Sequence, residues 1–296
     1  MTYANPHFLV ETDWLEAHLG DAGLRVIDCR IDMLPAEGQA RGLRFVPAAD
    51  AWKAAHVPGA TFVDFAQDLS DPDHALQFML PPAGQCADVM SRHGVGDGTR
   101  VVLYDGFMNM WAARLWWMLR AYGFDHAAVL NGGWHKWKTE GRRTSSEVPT
   151  PPMTTFRVER RRDCFVGSQD VLRGIGDPGT CLVDAMTPEH YAGETSYYSR
   201  PGHIESAVNV PFLSVVDPET QAYLAPAALR SRLESVGATT APRVVTYCGG
   251  GIAASSTAFA LALLGHDDVV IYDGSLSEWT ADPSLPMETA SRPETR

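Results

Sequence analysis

The 296-residue chain has no CxxC pair, no Cys/His set at metal-ligand spacing, and an odd count of five cysteines. That pattern excludes a disulfide framework and a structural zinc site, and it points to a reducing compartment, so a cytoplasmic location is expected. Basic residues are also scarce: 24 Lys and Arg stand against 36 Asp and Glu, a net charge of −12. Nucleic acid and anionic membrane surfaces are therefore not expected partners. The same charge gives no long-range attraction to an anionic substrate, so an anion has to be held locally, by backbone amides or a few arginines. No apolar run approaches a membrane span, and the first residues, MTYANPHFLVETDWLEAHLG, lack the basic start and apolar segment of a signal peptide. No metal or cofactor is expected.

What is present is an apolar, duplicated chain. Hydrophobic residues make up 45% and charged residues 20%, ample for a globular core, and the length suits two domains. VVLYD (101–105) echoes VVTYC (244–248), and VLNGGWHKW (129–137) echoes VIYDGSLSEW (270–279). VIDCR (26–30) echoes LVDAM (182–186), and AHVPGATFVDF (55–65) echoes GHIESAVNVPF (202–212). Order and spacing agree, so the chain reads as two copies of one module. The expected division is an N-terminal module over 1–142, a linker rich in Pro, Ser, Thr and Arg over 143–163, and a C-terminal module over 164–296. Within each half, short apolar strands alternate with amphipathic helices. The expected class is α/β, two tandem modules that each hold a mostly parallel sheet flanked by helices. In WAARLWWMLRAYG (111–123), Trp111, Trp116 and Trp117 are read as core, with Arg114 and Arg120 off the apolar face.

Cys248 ends an apolar strand pattern and heads a glycine turn, VVTYCGGGIAASS (244–256), before an Ala-rich helical run that stops at Gly265. Ligands of parallel α/β sheets bind beyond the carboxyl ends of the strands, where this cysteine falls. Unpaired N–H groups at a loop and helix N-terminus favour a thiolate, so Cys248 is the candidate nucleophile. Cys29, Cys86, Cys164 and Cys181 read as small buried hydrophobes. In the first half Asp105 occupies the matching position. Its loop, GFMNM, lacks the glycine run and is expected to lack suitably placed amides, leaving one site per chain, in the second module.

The duplicated pattern, HVPGA (56–60) in the first half, the cysteine-headed loop in the second, and the segments VVLYD, ARLWWMLRAYG, VLNGGWHKW and VNVPF resemble the two-domain rhodanese and mercaptopyruvate sulfurtransferases over nearly the whole chain. The resemblance implies transfer of a sulfane sulfur from a small anionic donor through a Cys248 persulfide to a thiophilic acceptor such as cyanide, a thiol or thioredoxin. The backbone of Gly249, Gly250, Gly251, Ile252 and Ala253 would stabilise the charge on sulfur. Arg200 would hold the donor, with the second family arginine falling near His190 and the family's acidic residue retained as Asp64. The alternatives are a surface ion pair for Arg200, a solvated loop position for His190 and a turn cap for Asp64. The family's basic or serine loop positions are Gly249 and Gly250 here, its first arginine is Met186, and its HMLP histidine is Phe78. Those departures keep a non-catalytic sulfur-carrying or partner-binding module open as an alternative. A cysteine phosphatase, the remote alternative, wants an arginine at the loop end, where this chain has Ile252 to Ser255.

Overall fold

β-branched runs without charge become the innermost strands of two sheets. The computed structural model describes residues 2–35, 43–159 and 164–290. In the first half, β1 (Leu9–Val10), α1 (Thr12–His18), β2 (Leu24–Asp28) and a hairpin of β3 (Ile31–Pro35) and β4 (Leu43–Pro47) come first. Then follow α2 (Ala49–Ala54), β5 (Ala60–Phe62), α3 (Ala83–Arg92), β6 (Arg100–Tyr104), α4 (Met110–Ala121), β7 (Ala127–Leu130) and α5 (Gly133–Thr139). The second half comprises β8 (Phe165–Val166), α6 (Ser168–Gly174), β9 (Thr180–Asp184), α7 (Pro188–Tyr191), β10 (His203–Ile204), β11 (Val208–Asn209) and α8 (Pro226–Glu234). It closes with β12 (Arg243–Tyr247), α9 (Ile252–Leu263), β13 (Val269–Tyr272), α10 (Ser275–Trp279) and β14 (Met287–Glu288).

The sheets are the same sheet twice. The first has the order β1-β7-β6-β2-β5 and the second, read from its other edge, β8-β13-β12-β9-β11, every pairing being parallel. The sequence echoes fall on equivalent strands: the VVLY of VVLYD lies in β6 and the VVTY of VVTYC in β12, the central strand of each sheet. Both are buried on both faces, so they read as unbroken apolar runs rather than alternating ones. The fold class read from the sequence holds in full.

The two sheets share one core through their central helices. Trp116 on α4 meets Phe259 on α9 edge to face at 4.9 Å, and the Trp117 indole N–H donates to the Ser255 carbonyl at 3.2 Å. All three tryptophans of α4 are buried. Arg114 differs from the sequence expectation: it is 0% exposed. α4 is covered on one side by its own sheet and on the other by α9, so it has no free polar face. Over 143–159 the linker lies along the first module, Ser145 bridging His56 and Thr154 bonding Ser91 and Val95. Its last residues, 160–163, lie outside the described ones.

Arg114 joins the modules. Its Nη2 donates to the Phe78 carbonyl at 2.7 Å and to Asp273 Oδ1 at 2.5 Å, and Asp273 Oδ2 accepts the Leu80 N–H at 2.8 Å. The guanidinium lies 4.5 Å over the Phe165 ring. Among the described residues, its Nε and Nη1 have no hydrogen-bond partner. Removing one member of such a buried pair strands the other. Arg114→Ala is therefore expected to cost about 3–5 kcal/mol in urea unfolding, with part regained in Arg114→Met combined with Asp273→Asn. Lys53→Ala, which breaks the exposed Lys53–Asp50 pair, is the control, with a loss of at most about 1 kcal/mol. Equal losses for Arg114→Ala and Lys53→Ala would show that the buried pair has no special weight.

Candidate active site

Each central strand ends in a loop that turns directly into a central helix. In the second module the loop runs from Cys248, just past β12, to Gly251, the N-cap of α9. Cys248 is 2% exposed. Its position is fixed by α10: the Cys248 N–H meets Ser275 Oγ at 3.2 Å, its carbonyl accepts the Leu276 N–H at 3.0 Å, and the Gly249 carbonyl accepts Ser277 N–H and Oγ–H. Among the described residues, no protein acceptor meets the N–H groups of Gly249, Gly250 or Gly251. Ile252 and Ala253 open α9, where the first N–H groups of a helix have no intrahelical acceptor. The segment from Gly249 to Ala253 thus gathers free amide donors and a helix N-terminus at Cys248, a setting for negative charge.

The glycines have separate reasons. Gly251 has φ +78°, and a Cβ there would meet the Asp273 carbonyl at 2.9 Å and Arg114 Nη1 at 3.0 Å. At Gly249 a Cβ would stand 1.8 Å from the Tyr198 hydroxyl. Gly250 has neither restriction, with no atom within 4 Å of a Cβ built there.

The first module shows what such a loop does with an anion. Asp105, 1% exposed, stands where Cys248 stands. Its Oδ1 accepts the Phe107 N–H at 2.9 Å, and its Oδ2 accepts those of Trp111 and Ala112 at 2.7 and 2.9 Å. The Asn109 N–H also favours its charged form. Burial nevertheless pushes the carboxyl up to about 7 against these donors. The expectation that the GFMNM loop lacks suitable amides is therefore wrong. Met108 and Asn109 take φ of +56° and +58°, turning the backbone inward without glycine. This loop has four residues between Asp105 and α4, Gly106 to Asn109, against the three glycines of the second.

The other sequence candidates engage partners of their own. Arg200 donates to four backbone carbonyls, those of Thr280 (3.2 Å), Leu285 (2.7 Å), Trp279 (2.9 Å) and Asp282 (2.7 Å). It ties down the chain that leaves α10, so neither the donor clamp nor the surface ion pair describes it. His190 pairs through Nδ1 with Thr187 Oγ1 at 3.0 Å, and its ring lies 4.7 Å from that of Tyr197. Burial lowers its pKa, so the imidazole is neutral at pH 7 and supplies no cation. Asp64 Oδ1 accepts the N–H groups of Ala66 and Gln67, the turn cap. Among the remaining cysteines, burial, then Asp28 and Asp105, hold Cys29 well above the usual thiol value; burial pushes Cys86 up to about 12 and raises Cys181. None of these three is set up as a thiolate.

Sequence reasoning missed Tyr198. It has no periodic signal in ETSYYSR, and only the demand for glycine at 249 hints at a close neighbour. Burial, then the charges of Cys248 and Asp184, raise its hydroxyl pKa, so it remains a neutral O–H.

The modules also differ beside the strand that carries the VID or LVD motif. Asp28 pairs with Arg30 at 2.8 Å and accepts the Tyr104 hydroxyl at 2.5 Å. Asp184 has Met186 in the place of that arginine. Its Oδ1 accepts the Met186 N–H at 2.7 Å, and the neighbouring Tyr247 hydroxyl also favours its charged form. Burial pushes Asp184 up to about 7.

The rhodanese-like domain family matches residues 11–140 and 168–282. The chain is 32% identical to the sulfur carrier protein TtuD of Thermus thermophilus, over 94% of this chain and 95% of that protein. It is 32% identical to the thiosulfate sulfurtransferase of Rattus norvegicus, over 92% and 91%. Among solved structures it is similar to SseA of Escherichia coli, a 3-mercaptopyruvate sulfotransferase, with TM-score 0.78, 28% identity and 90% and 98% of the two chains covered. The chain belongs to the rhodanese-like family, and at the level of that family its chemistry is sulfur transfer through a cysteine persulfide.

The buried Asp184 carboxyl sets a pH dependence. Its folded pKa, about 7, lies above the unfolded value, so the native state binds the extra proton between roughly pH 4 and 7. The stability this contributes is present at low pH and is lost as pH rises through about 7. Asp184→Asn removes the titration and keeps an oxygen for the Met186 N–H. Its stability relative to the unmodified chain is expected to improve by more than about 1 kcal/mol between pH 5 and pH 8. Parallel pH–stability curves in urea unfolding would contradict this.

Proposed function

We propose that the chain takes a sulfane sulfur from thiosulfate or 3-mercaptopyruvate onto Cys248 and passes it to a thiophilic acceptor: cyanide, a thiol or thioredoxin. The observation that carries this reading is the pairing of the two loops. The oxygens of Asp105 lie two bonds beyond Cβ and collect backbone N–H groups. The outer sulfur of a Cys248 persulfide also lies two bonds beyond Cβ, an S–S bond of about 2.05 Å past Sγ. A loop of this kind suits the persulfide anion.

In the first half-reaction the Cys248 thiolate attacks the outer sulfur of thiosulfate. A new S–S bond forms, the old one breaks, and sulfite leaves with its electron pair. In the second, cyanide or a thiolate attacks the outer sulfur of the persulfide and the Cys248 thiolate departs, a two-step covalent scheme. The loop amides act on the charge in both steps. With Arg200 bound to carbonyls and His190 neutral, no cationic side chain among the sequence candidates holds the donor. Weak donor binding follows.

The carrier reading is favoured by the Thermus relative's name and by the missing cations. Steady-state thiocyanate formation separates the two: an enzyme turns over many times with thiosulfate or 3-mercaptopyruvate, whereas a carrier releases one sulfur per chain. Cys248→Ser is expected to abolish release in either case. For thiosulfate a high KM is expected, falling about tenfold in Gly250→Lys, which places a cation near the dianion. The left-handed strain that governs Gly251 is absent at Gly250, and the space there is open. Gly250→Ala should therefore leave KM unchanged. Equal KM values in the Lys and Ala variants would show that the missing cation does not limit donor binding.

A further inference from the structure

With Arg200 bound to backbone carbonyls and His190 neutral, a tyrosine hydroxyl stands against the Cys248 loop. Tyr198 comes from the segment between α7 and β10 and is half-buried against the satellite core that includes Tyr247 and Leu276. The segment is braced by Ser196, whose Oγ accepts the Tyr198 N–H at 3.0 Å and donates towards the carbonyls of Tyr198 (3.2 Å) and Arg200 (3.4 Å). Arg200 is anchored to the four carbonyls around the end of α10. Helix α10 in turn receives the carbonyls of Cys248 and Gly249. Tyr198 and the cysteine loop are thus held to one frame.

The hydroxyl sits against the first glycine of the loop, 1.8 Å from where a Cβ at position 249 would be. Among the described residues it makes no hydrogen bond to the protein, while its electrostatic neighbours are Cys248, Asp184 and Tyr197. We propose that the Tyr198 hydroxyl is a donor-binding group: it donates a hydrogen bond to an oxyanion of the sulfur donor while Cys248 attacks the outer sulfur, and residue 249 is glycine so that the hydroxyl can reach the loop.

The proposal rests on the sulfur-transfer reading and deepens it. In thiosulfate the oxygen bound would belong to the sulfonate, and in 3-mercaptopyruvate to the carboxylate. Tyr198 gives up no proton; with 3-mercaptopyruvate the carbon–sulfur bond breaks, its electron pair leaves on pyruvate enolate, and the enolate takes its proton from water. The Tyr198 O–H stays intact as the Cys248–sulfur bond forms, the sulfur–sulfonate bond breaks and sulfite carries away the electron pair. A hydrogen-bond donor in this place discriminates by geometry and adds no net charge. It acts on the loading step alone, because the donor's oxyanion has left before the acceptor arrives.

The test separates the two half-reactions on the full chain. Persulfide formation is followed by intact mass in the absence of acceptor over a thiosulfate series, and discharge is followed after adding cyanide to preloaded protein. In Tyr198→Phe the half-saturating thiosulfate concentration is expected to rise about ten- to hundredfold, the loss of one hydrogen bond to a charged group, with cyanide discharge unchanged. Gly249→Ala, whose methyl group takes the hydroxyl's space, is expected to shift loading in the same direction. Loading of Tyr198→Phe at unmodified thiosulfate concentrations overturns the proposal. So does an equal slowing of loading and discharge, which would make Tyr198 a structural residue only. Failure of the unmodified chain to load from either donor overturns the sulfur-transfer reading itself, and this proposal with it.

Discussion

Everything in this structure depends on a strand that ends where a helix begins. The turn between them directs backbone N–H groups at one point, and the helix adds its positive end. An anion there is held by the fold itself. The chain builds this junction twice and uses it in two ways. In the first module the Asp105 carboxyl fills it. In the second a cysteine stands at the same position, with amides that meet no acceptor among the described residues. The packing of α4 on α9 brings both junctions into one shared core, so each module closes part of the other's loop.

That closure is reciprocal. Gln221, from the second module, accepts the Met108 N–H at 2.9 Å and receives the Asn109 side-chain amide on its carbonyl at 2.7 Å. From the first module, Phe78 and Leu80 engage Arg114 and Asp273, which bracket Gly251. Phe78 and Gln221 both take positive φ, +64° and +57°, without being glycine. The Phe78 ring packs on Trp111 at 5.0 Å and Phe45 at 5.8 Å. At this position the first module supplies an apolar wall and no ionisable group.

The sequence made the strands, the duplication and the Cys248 loop legible because each is local. Apolar runs, glycine turns and a cysteine between them occupy neighbouring positions, and the second copy served as a check on the first. What it did not reveal depends on partners distant in the chain. Arg200 looks like a free cation until the carbonyls near residues 279–285 are folded around it. Arg114 reads as a solvent-facing arginine until α9 covers it. The amides around Asp105 were missed because glycine count was taken as a guide to amide direction, whereas Met108 and Asn109 reach the left-handed region under tertiary constraint. Tyr198 was missed because its meaning lies in contact with Gly249, about fifty residues away in sequence.

In the proposed sulfur transfer one thiol of five carries the sulfur, the one at the strand–helix junction. Peptide mapping by mass spectrometry after thiosulfate loading, with no acceptor present, tests it most directly. One added sulfur atom is expected on the peptide that carries Cys248 and none on those that carry Cys29, Cys86, Cys164 or Cys181. Sulfane sulfur on any of those four, with Cys248 unmodified, would contradict it.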